Sequence, residues 1–294
     1  MPSPYIGRFA PTPSGYLHFG SLLAAVASYL DARHHQGQWL IRVEDLDTPR
    51  NVPGATDHIL HTLEAYGLHW DGEVVRQSDR LALYQQVIDD WLVTGQAYHC
   101  DCSRQTILNH GGVYPGTCRE RGLPAAADHA VRLRVSDQSI VFQDRLQGEF
   151  RQQPATTSGD FIIRRRDGII AYQLAVVIDD IAQQVTDVVR GADLLDSTPR
   201  QLWLYQLLQQ PAPRYLHVPL VMRHDGEKLS KRLGSTPLEP GQAKATLYRA
   251  LNVLAQDPPS QLSTALISEQ RDWAVAHWQP DRLPAKRQIL DPTI

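Results

Sequence analysis

Between residues 5 and 43 the hydrophobic pattern changes period twice, and few architectures accommodate that. Tyr5, Ile6 and Phe9 mark a short apolar strand, and the loop APTPSG follows, dense in proline and glycine. Leu22, Leu23, Val26, Ala27 and Leu30 then recur at helical spacing, and Trp39, Leu40, Ile41 and Val43 read as a second strand. Strand, helix, strand predicts a βαβ unit and, with it, a parallel sheet in an α/β fold. In such sheets ligands sit beyond the carboxyl ends of the strands, against helix N-termini. His18 and Gly20 fall at that place. Glycine lets a flat base or a phosphate approach the backbone, and an imidazole can donate a hydrogen bond to a phosphate oxygen. The loop matches neither GxGxxG nor the GxxxxGKS/T phosphate loop. Taken alone, His18 reads first as an ordinary helix-cap residue.

The rest of the composition excludes several classes. With 294 residues, 42% apolar and 21% charged, the chain can bury one large core or two ordinary ones. No apolar run is long enough for a membrane span, and MPSPYIGRFAP lacks the apolar stretch of a signal peptide. A cytoplasmic protein is expected, and three cysteines fit a reducing compartment better than a disulfide framework. A net charge of −3 rules out a basic nucleic-acid coat, although a local basic face suffices for an RNA partner.

A second segment bears on the first. Residues 228–232 read KLSKR within RHDGEKLSKRLGS, where Asp225-Gly226 marks a turn and Gly234 closes the segment. Lys228, Lys231 and Arg232 make this loop strongly cationic, and on its own it reads as a solvated charge run. Paired with the earlier His-x-Gly, it resembles the HIGH and KMSKS signatures of class I aminoacyl-tRNA synthetases, which bracket ATP. RFAPTPSGYLHFGS, RVEDLDTPR, YGLHWD, AYQLAVVIDD and VVRGADLLDSTPRQ, in that order, resemble the glutamate branch of the family. Ser21 stands where the full HIGH pattern has histidine, and KLSKR departs from KMSKS at two places but keeps both lysines. Only a short stretch follows Lys231, with Ala243–Leu254 and Gln261–Trp273 reading as two or three amphipathic helices. That is too little for the anticodon-binding region of a full glutamyl-tRNA synthetase. The chain is therefore similar to the glutamyl-queuosine tRNA(Asp) synthetase family.

The resemblance implies a Rossmann-like catalytic domain in two halves, 1–96 and 169–240. An insertion with a zinc site at 97–168 lies between them, and a helical C-terminal segment at 241–294 follows. It implies that His18, Lys228 and Lys231 are catalytic, with His18, Gly20 and Lys231 at ATP. Arg8, Ala10, Thr12, Glu44, Tyr172 and Arg190 match the glutamate-binding positions. The residue types suit that ligand. Arg8 and Arg190 can supply forked donors for a carboxylate, Glu44 can accept from an ammonium, and Tyr172 adds a hydroxyl. Glu44 with Asp45 and Asp47 also reads as a solvated strand end, and the arginines as structural ion pairs. Asp193 is similar to a position near the adenosine. Asp179-Asp180 reads as preceding a turn and is given no catalytic role.

All three cysteines, Cys100, Cys102 and Cys118, fall close together, and clustered thiols in a reducing compartment suggest zinc. Residue chemistry nominates His99 or His110 as fourth ligand, whereas the resemblance points to Tyr114. Buried or free thiols are the alternative. RLRV at 132–135 and FIIRRRDG at 161–168 place arginines beside β-type residues, as a solvated turn or as contacts to an RNA backbone.

The function implied is ATP-dependent activation of L-glutamate without tRNA, with magnesium accompanying ATP. Transfer to queuosine in the anticodon of tRNA(Asp) follows, by a monomeric enzyme. The rivals are a truncated glutamyl-tRNA synthetase charging a 3′ end, a small-molecule adenylate-forming ligase, and a non-catalytic zinc and RNA-binding paralogue.

Overall fold

A computed structural model describes residues 4–222 and 237–290. Strand β1 (Ile6–Phe9), helix α1 (Phe19–His34) and strand β2 (Gln38–Val43) form the expected unit, with β1 and β2 parallel and Arg8 opposite Leu40. Arg33 and His34 in the last turn of α1 meet the negative end of its dipole. The return to β2 is tight. A side-chain carbon on Gly37 would lie 2.4 Å from the Tyr5 carbonyl oxygen, so only glycine fits.

The chain continues through α2 (Ala55–Ala65), β3 (Val75–Arg76) and α3 (Leu81–Val93) into β4 (Ala97–Cys100), α4 (Arg104–Leu108) and β5 (Ala130–Leu133). The hairpin β6 (Ile140–Asp144) and β7 (Gly148–Gln152), helix α5 (Pro154–Thr157), β8 (Phe161–Arg164) and α6 (Tyr172–Ala182) come next. Strand β9 (Asp187–Gly191), α7 (Thr198–Leu207), β10 (Arg214–Val218) and β11 (Leu220–Met222) precede α8 (Ala243–Val253), α9 (Ile267–Ala276) and β12 (Gln288–Leu290). No described helix is long and apolar enough to cross a membrane.

Seven strands form one sheet in the order β3-β2-β1-β9-β10-β6-β7, parallel except for β7. The order reverses at β1: α1 leads to β2 on one side, while β9 joins β1 on the other. Ligands enter α/β sheets at such a crevice. Strands β4, β5 and β8 form a separate antiparallel sheet. The stretch 97–168 thus divides, since its β6–β7 hairpin belongs to the main sheet beside β10, with Asp144 opposite Tyr215. A locally read strand pattern does not name its pairing partner, which here lies far along the chain.

The two faces of the main sheet differ. Phe9, Trp39, Ile41, Val189, Leu216 and Val218 point to one side and pack with α1, α8 and α9. Leu247, Ala250, Leu251, Ala274 and Trp278 bring the C-terminal helices into this core, and the Trp278 indole N–H donates to buried Asp31 at 3.0 Å. The segment from Ser260 to Thr264 is a 3-10 turn, so the last α-helix begins later than its apolar pattern suggests. On the other face, by strand alternation, stand Arg8, Arg42, Arg190 and His217, all buried. Interior strands of a parallel sheet are ordinarily apolar on both faces. A buried charged row therefore needs partners, and α6 and α7 supply them.

Candidate functional site

A cavity of about 970 Å³ opens at the carboxyl ends of β1, β9 and β10. It is lined by Arg8, Ala10, Thr12, Glu44, Tyr172 and Arg190, the six positions matched to glutamate binding, and also by His18, Gly20 and Asp193. Residues from four separate stretches of sequence thus converge on one space. Lys228 and Lys231 lie outside the described residues.

His18 is both a cap and a cavity residue. Its Nδ1 accepts from the Ser21 backbone N–H at 3.2 Å, so Nε2 carries the proton, 3.0 Å from Ser21 Oγ. Burial lowers its pKa, which leaves a neutral donor at the start of α1. A side-chain carbon on Gly20 would sit 3.4 Å from this ring, so glycine keeps the approach to it clear.

The charged row is wired from behind. Asp180 of α6 receives Arg8 through Nε and Nη2, both at 3.2 Å, and Arg42 through Nη1 at 2.7 Å. Against the upward push of burial, Arg42 and Arg8 hold the Asp180 carboxyl below the usual carboxylate range. Neighbouring Asp179 accepts from Gln77, Arg80 and Tyr84, each at 2.7–2.9 Å. Both acids are therefore structural anchors in the last turns of α6, just before the turn at Gln183-Gln184. Glu44 sits 3.5 Å from Arg42, yet its buried Oε1 has no hydrogen-bond partner among the described residues. Burial pushes Glu44 up to about 7, against the pull of Arg42 and Arg8. Arg190 donates from Nε to His217 Nε2 at 3.0 Å and from Nη2 to Thr198 Oγ1 at 2.9 Å. Its buried Nη1 has no partner among the described residues. The cavity lining thus brings together a buried acceptor, Glu44 Oε1, that is ion-paired with Arg42 at 3.5 Å but accepts no hydrogen bond among the described residues, and a buried cationic donor, Arg190 Nη1, that makes none. A ligand carrying an ammonium and a carboxylate would satisfy both.

Arg42, Asp180, Thr198, His217 and Asp144 escaped the sequence reading. For Arg42 and His217 the signal was a polar residue inside an otherwise apolar interior strand, as Arg42 in Trp39-Leu40-Ile41-Arg42-Val43; Asp180 and Thr198 lie on helices and carried no such signal.

In the insertion the Sγ atoms of Cys100, Cys102 and Cys118 lie within 4.8 Å of one another. The Tyr114 hydroxyl is 3.5 Å from Cys100 and 3.9 Å from Cys102. Neither His99 nor His110 belongs to the group; His110 Nδ1 lies 2.8 Å from the Thr106 carbonyl instead. Burial alone would raise the Cys100 thiol, but hydrogen bonds from Tyr114 and Arg132 outweigh it and hold the thiol low. Three soft donors and one phenol at this spacing suit a tetrahedral metal of zinc's size. The surrounding core is small, comprising Tyr98, Tyr114 and the cysteines with Ile107 and Leu123.

Neither the solvated-turn nor the RNA-contact reading describes Arg132. It is 4% exposed, donates to Cys100 Sγ at 3.2 Å and to the Asp160 carbonyl at 2.7 Å, and lies over the Tyr114 ring. Arg164, Arg165 and Arg166 do line a second cleft, with His129 and Gln85.

The family described as class I tRNA synthetases (E and Q), catalytic domain, matches residues 6–112 and 118–255. A Pseudomonas aeruginosa protein called glutamyl-Q tRNA(Asp) synthetase is 58% identical over 284 residues, 97% of each chain. A protein of the same name from Ectopseudomonas mendocina is 58% identical over 291 residues, 99% of each chain. The crystal structure of a glutamate tRNA ligase from Elizabethkingia meningosepticum, in complex with its amino acid, superposes with a TM-score of 0.80 at 24% identity. That match covers 98% of this chain and 67% of the ligase, and it shows a shared fold.

Proposed function

The chain belongs to the class I tRNA synthetases of the glutamate and glutamine type, within them to the glutamyl-Q tRNA(Asp) synthetases, and on that premise we propose that it activates L-glutamate with ATP and transfers it to queuosine in tRNA(Asp). The observation that carries the reading is that two residues lining one cavity, Glu44 and Arg190, each hold a buried polar atom, Oε1 and Nη1, with no hydrogen bond among the described residues, Oε1 having only its 3.5 Å ion pair with Arg42. Glu44 accepts from the ammonium of glutamate. Arg190, with Arg8 and the Tyr172 hydroxyl, receives its side-chain carboxylate. Ala10 and Thr12 form the adjoining strip. The remaining carboxylate attacks the α-phosphorus of ATP and expels pyrophosphate. That nucleophile is ionised near pH 7, so no general base is needed. Catalysis then rests on positioning and on donors around the spreading charge. His18 offers a neutral N–H there, Lys228 and Lys231 supply the cations, and magnesium enters with ATP. Queuosine on tRNA(Asp) takes the glutamyl group from the adenylate and releases AMP. The catalytic halves are 1–96 and 169–240, joined by the β6–β7 hairpin of the main sheet, and the enzyme acts as a cytoplasmic monomer.

ATP–pyrophosphate exchange with glutamate and no RNA tests the reading. Strong glutamate-dependent exchange is expected. Exchange only after tRNA addition would favour a 3′-end-charging enzyme, and none at all would refute glutamate activation. The exchange should also carry the titration of Glu44. The ionised form binds the ammonium and is lost as pH falls through about 7. With one proton linked to binding, the half-saturating glutamate concentration should rise about tenfold from pH 8 to pH 6. Glu44→Gln should bind weakly and flatten that dependence.

We propose further that Cys100, Cys102, Cys118 and Tyr114 hold a structural zinc, which would tie together a segment with too small a core to stand alone. About one zinc per chain is expected by elemental analysis. A content below about a tenth rejects a stable site of this class.

A further inference from the structure

We propose that Asp144, His217 and Thr198 are positioning residues that fix Arg190 in one orientation and leave its charge uncompensated for a carboxylate of the substrate. The inference rests on the glutamate-binding reading above. The three come from separate elements: Asp144 ends β6, His217 lies on β10, and Thr198 opens α7. Arg190, His217 and Asp144 form a line across the adjacent strands β9, β10 and β6, with Thr198 of α7 beside it.

The proton positions follow from the partners. Asp144 Oδ1 accepts from the backbone N–H groups of Leu146 at 3.0 Å, Gln147 at 2.8 Å and His217 at 3.2 Å. A carboxylate so supplied stays ionised and can only accept. Its other oxygen lies 2.6 Å from His217 Nδ1, so Nδ1 carries the imidazole proton. Nε2 is then the acceptor, and Arg190 Nε donates to it at 3.0 Å. Thr198 Oγ1 accepts from Arg190 Nη2 at 2.9 Å and passes its own proton to the Leu194 carbonyl at 3.2 Å. Both hydrogen-bond acceptors of Arg190 are neutral, and its guanidinium also lies over the Tyr215 ring, 5.1 Å from the centroid. Burial, with Arg190 nearby, pushes His217 down to about 4 despite Asp144, so the ring is uncharged in use. Arg8 differs, because its fork already faces the Asp180 carboxylate. Of the two arginines, Arg190 therefore keeps the larger attraction for an incoming anion, and its unpartnered Nη1 is the group offered.

Asp144→Asn tests this. The amide oxygen can keep the backbone N–H bonds, which turns the amide nitrogen toward His217 Nδ1. The imidazole then carries its proton on Nε2, where it opposes the Arg190 Nε donor and can be accepted only by Thr198 Oγ1, 3.3 Å away and already engaged with Arg190 Nη2. The KM for glutamate in pyrophosphate exchange should rise about 10- to 100-fold, the loss of one hydrogen bond to a charged group, with the KM for ATP within about twofold. Nitrogen-15 NMR of histidine-labelled protein should show His217 protonated at Nδ1 in the wild type and at Nε2 in the variant. A tautomer switch with unchanged glutamate KM overturns the proposal. So does a wild-type His217 protonated at Nε2, a result that does not depend on the variant's folding. If Asp144→Asn does not fold, Thr198→Val decides: a severalfold rise in glutamate KM supports the proposal, and an unchanged value overturns it. Absence of glutamate-dependent exchange in the wild type would instead refute the underlying reading, and the tautomer would still report on the relay.

Discussion

Replacing Asp180 by alanine is expected to destabilise the fold by about 3–5 kcal/mol, the range for removing one partner of a buried ion pair. Asp180 and Arg8 are each 4% exposed and Arg42 is fully buried, so two guanidiniums lose their nearest counter-charge together. Asp179 does not replace it, because its contact with Arg42 is 3.7 Å and its oxygens already serve Gln77, Arg80 and Tyr84. Glu44 can compensate in part. Asp180 is among the groups holding the Glu44 pKa up, so its removal favours Glu44 ionisation beside Arg42. The pH dependence follows. At pH 8 an ionised Glu44 offsets some of the loss, whereas at pH 6 a larger protonated fraction offsets less. Urea unfolding of both proteins at the two pH values measures this. A deficit below about 1 kcal/mol at pH 6 would mean that the network holds little of the fold together.

How much of this was legible in sequence depends on how local each signal is. The β1–α1–β2 unit was, because its changes of period lie within one stretch and its loop is punctuated by proline and glycine. The glutamate-binding positions gathered around the cavity were reached through resemblance. Spacing alone left Glu44 a solvated strand end and Arg8 a structural ion pair. The second of those readings also describes Arg8, which is an ion-pair partner and a cavity residue at once. The supporting set was not legible. Asp180 lies beside Asp179 in a mostly apolar helix, and its partners come from β1 and β2, far away in sequence. His217 shows its purpose only when β10 is laid between β9 and β6. The β6–β7 hairpin was assigned to the insertion for the same reason, since a strand pattern does not say which edge it will join. In the insertion, cysteine proximity along the chain did foretell proximity in space, while the role expected for Arg132 reversed once its burial against Cys100 was known.

Arg8→Gln is expected to weaken glutamate binding by about 2–5 kcal/mol, roughly 30-fold to a few thousandfold, with the KM for ATP nearly unchanged. The structure narrows where in that range it falls. Arg8 already shares its charge with Asp180, and in the variant Asp180 keeps Arg42 at 2.7 Å, so no carboxylate is left wholly unpaired. Arg8→Gln should therefore fold better than Asp180→Ala and lie toward the low end in affinity. Arg190→Gln should lie toward the high end, because the lost guanidinium is backed by neutral groups, His217, Thr198 and the Tyr215 ring, among the described residues. Exchange kinetics with glutamate varied at saturating ATP, and with ATP varied at saturating glutamate, separate the two substrates. Unchanged glutamate affinity in Arg8→Gln would remove Arg8 from the binding site and leave it solely as the partner of Asp180. The reverse order of the two variants would mean that local charge compensation does not decide which arginine holds the carboxylate. The approach of the two guanidiniums to the bound ligand would then decide it instead.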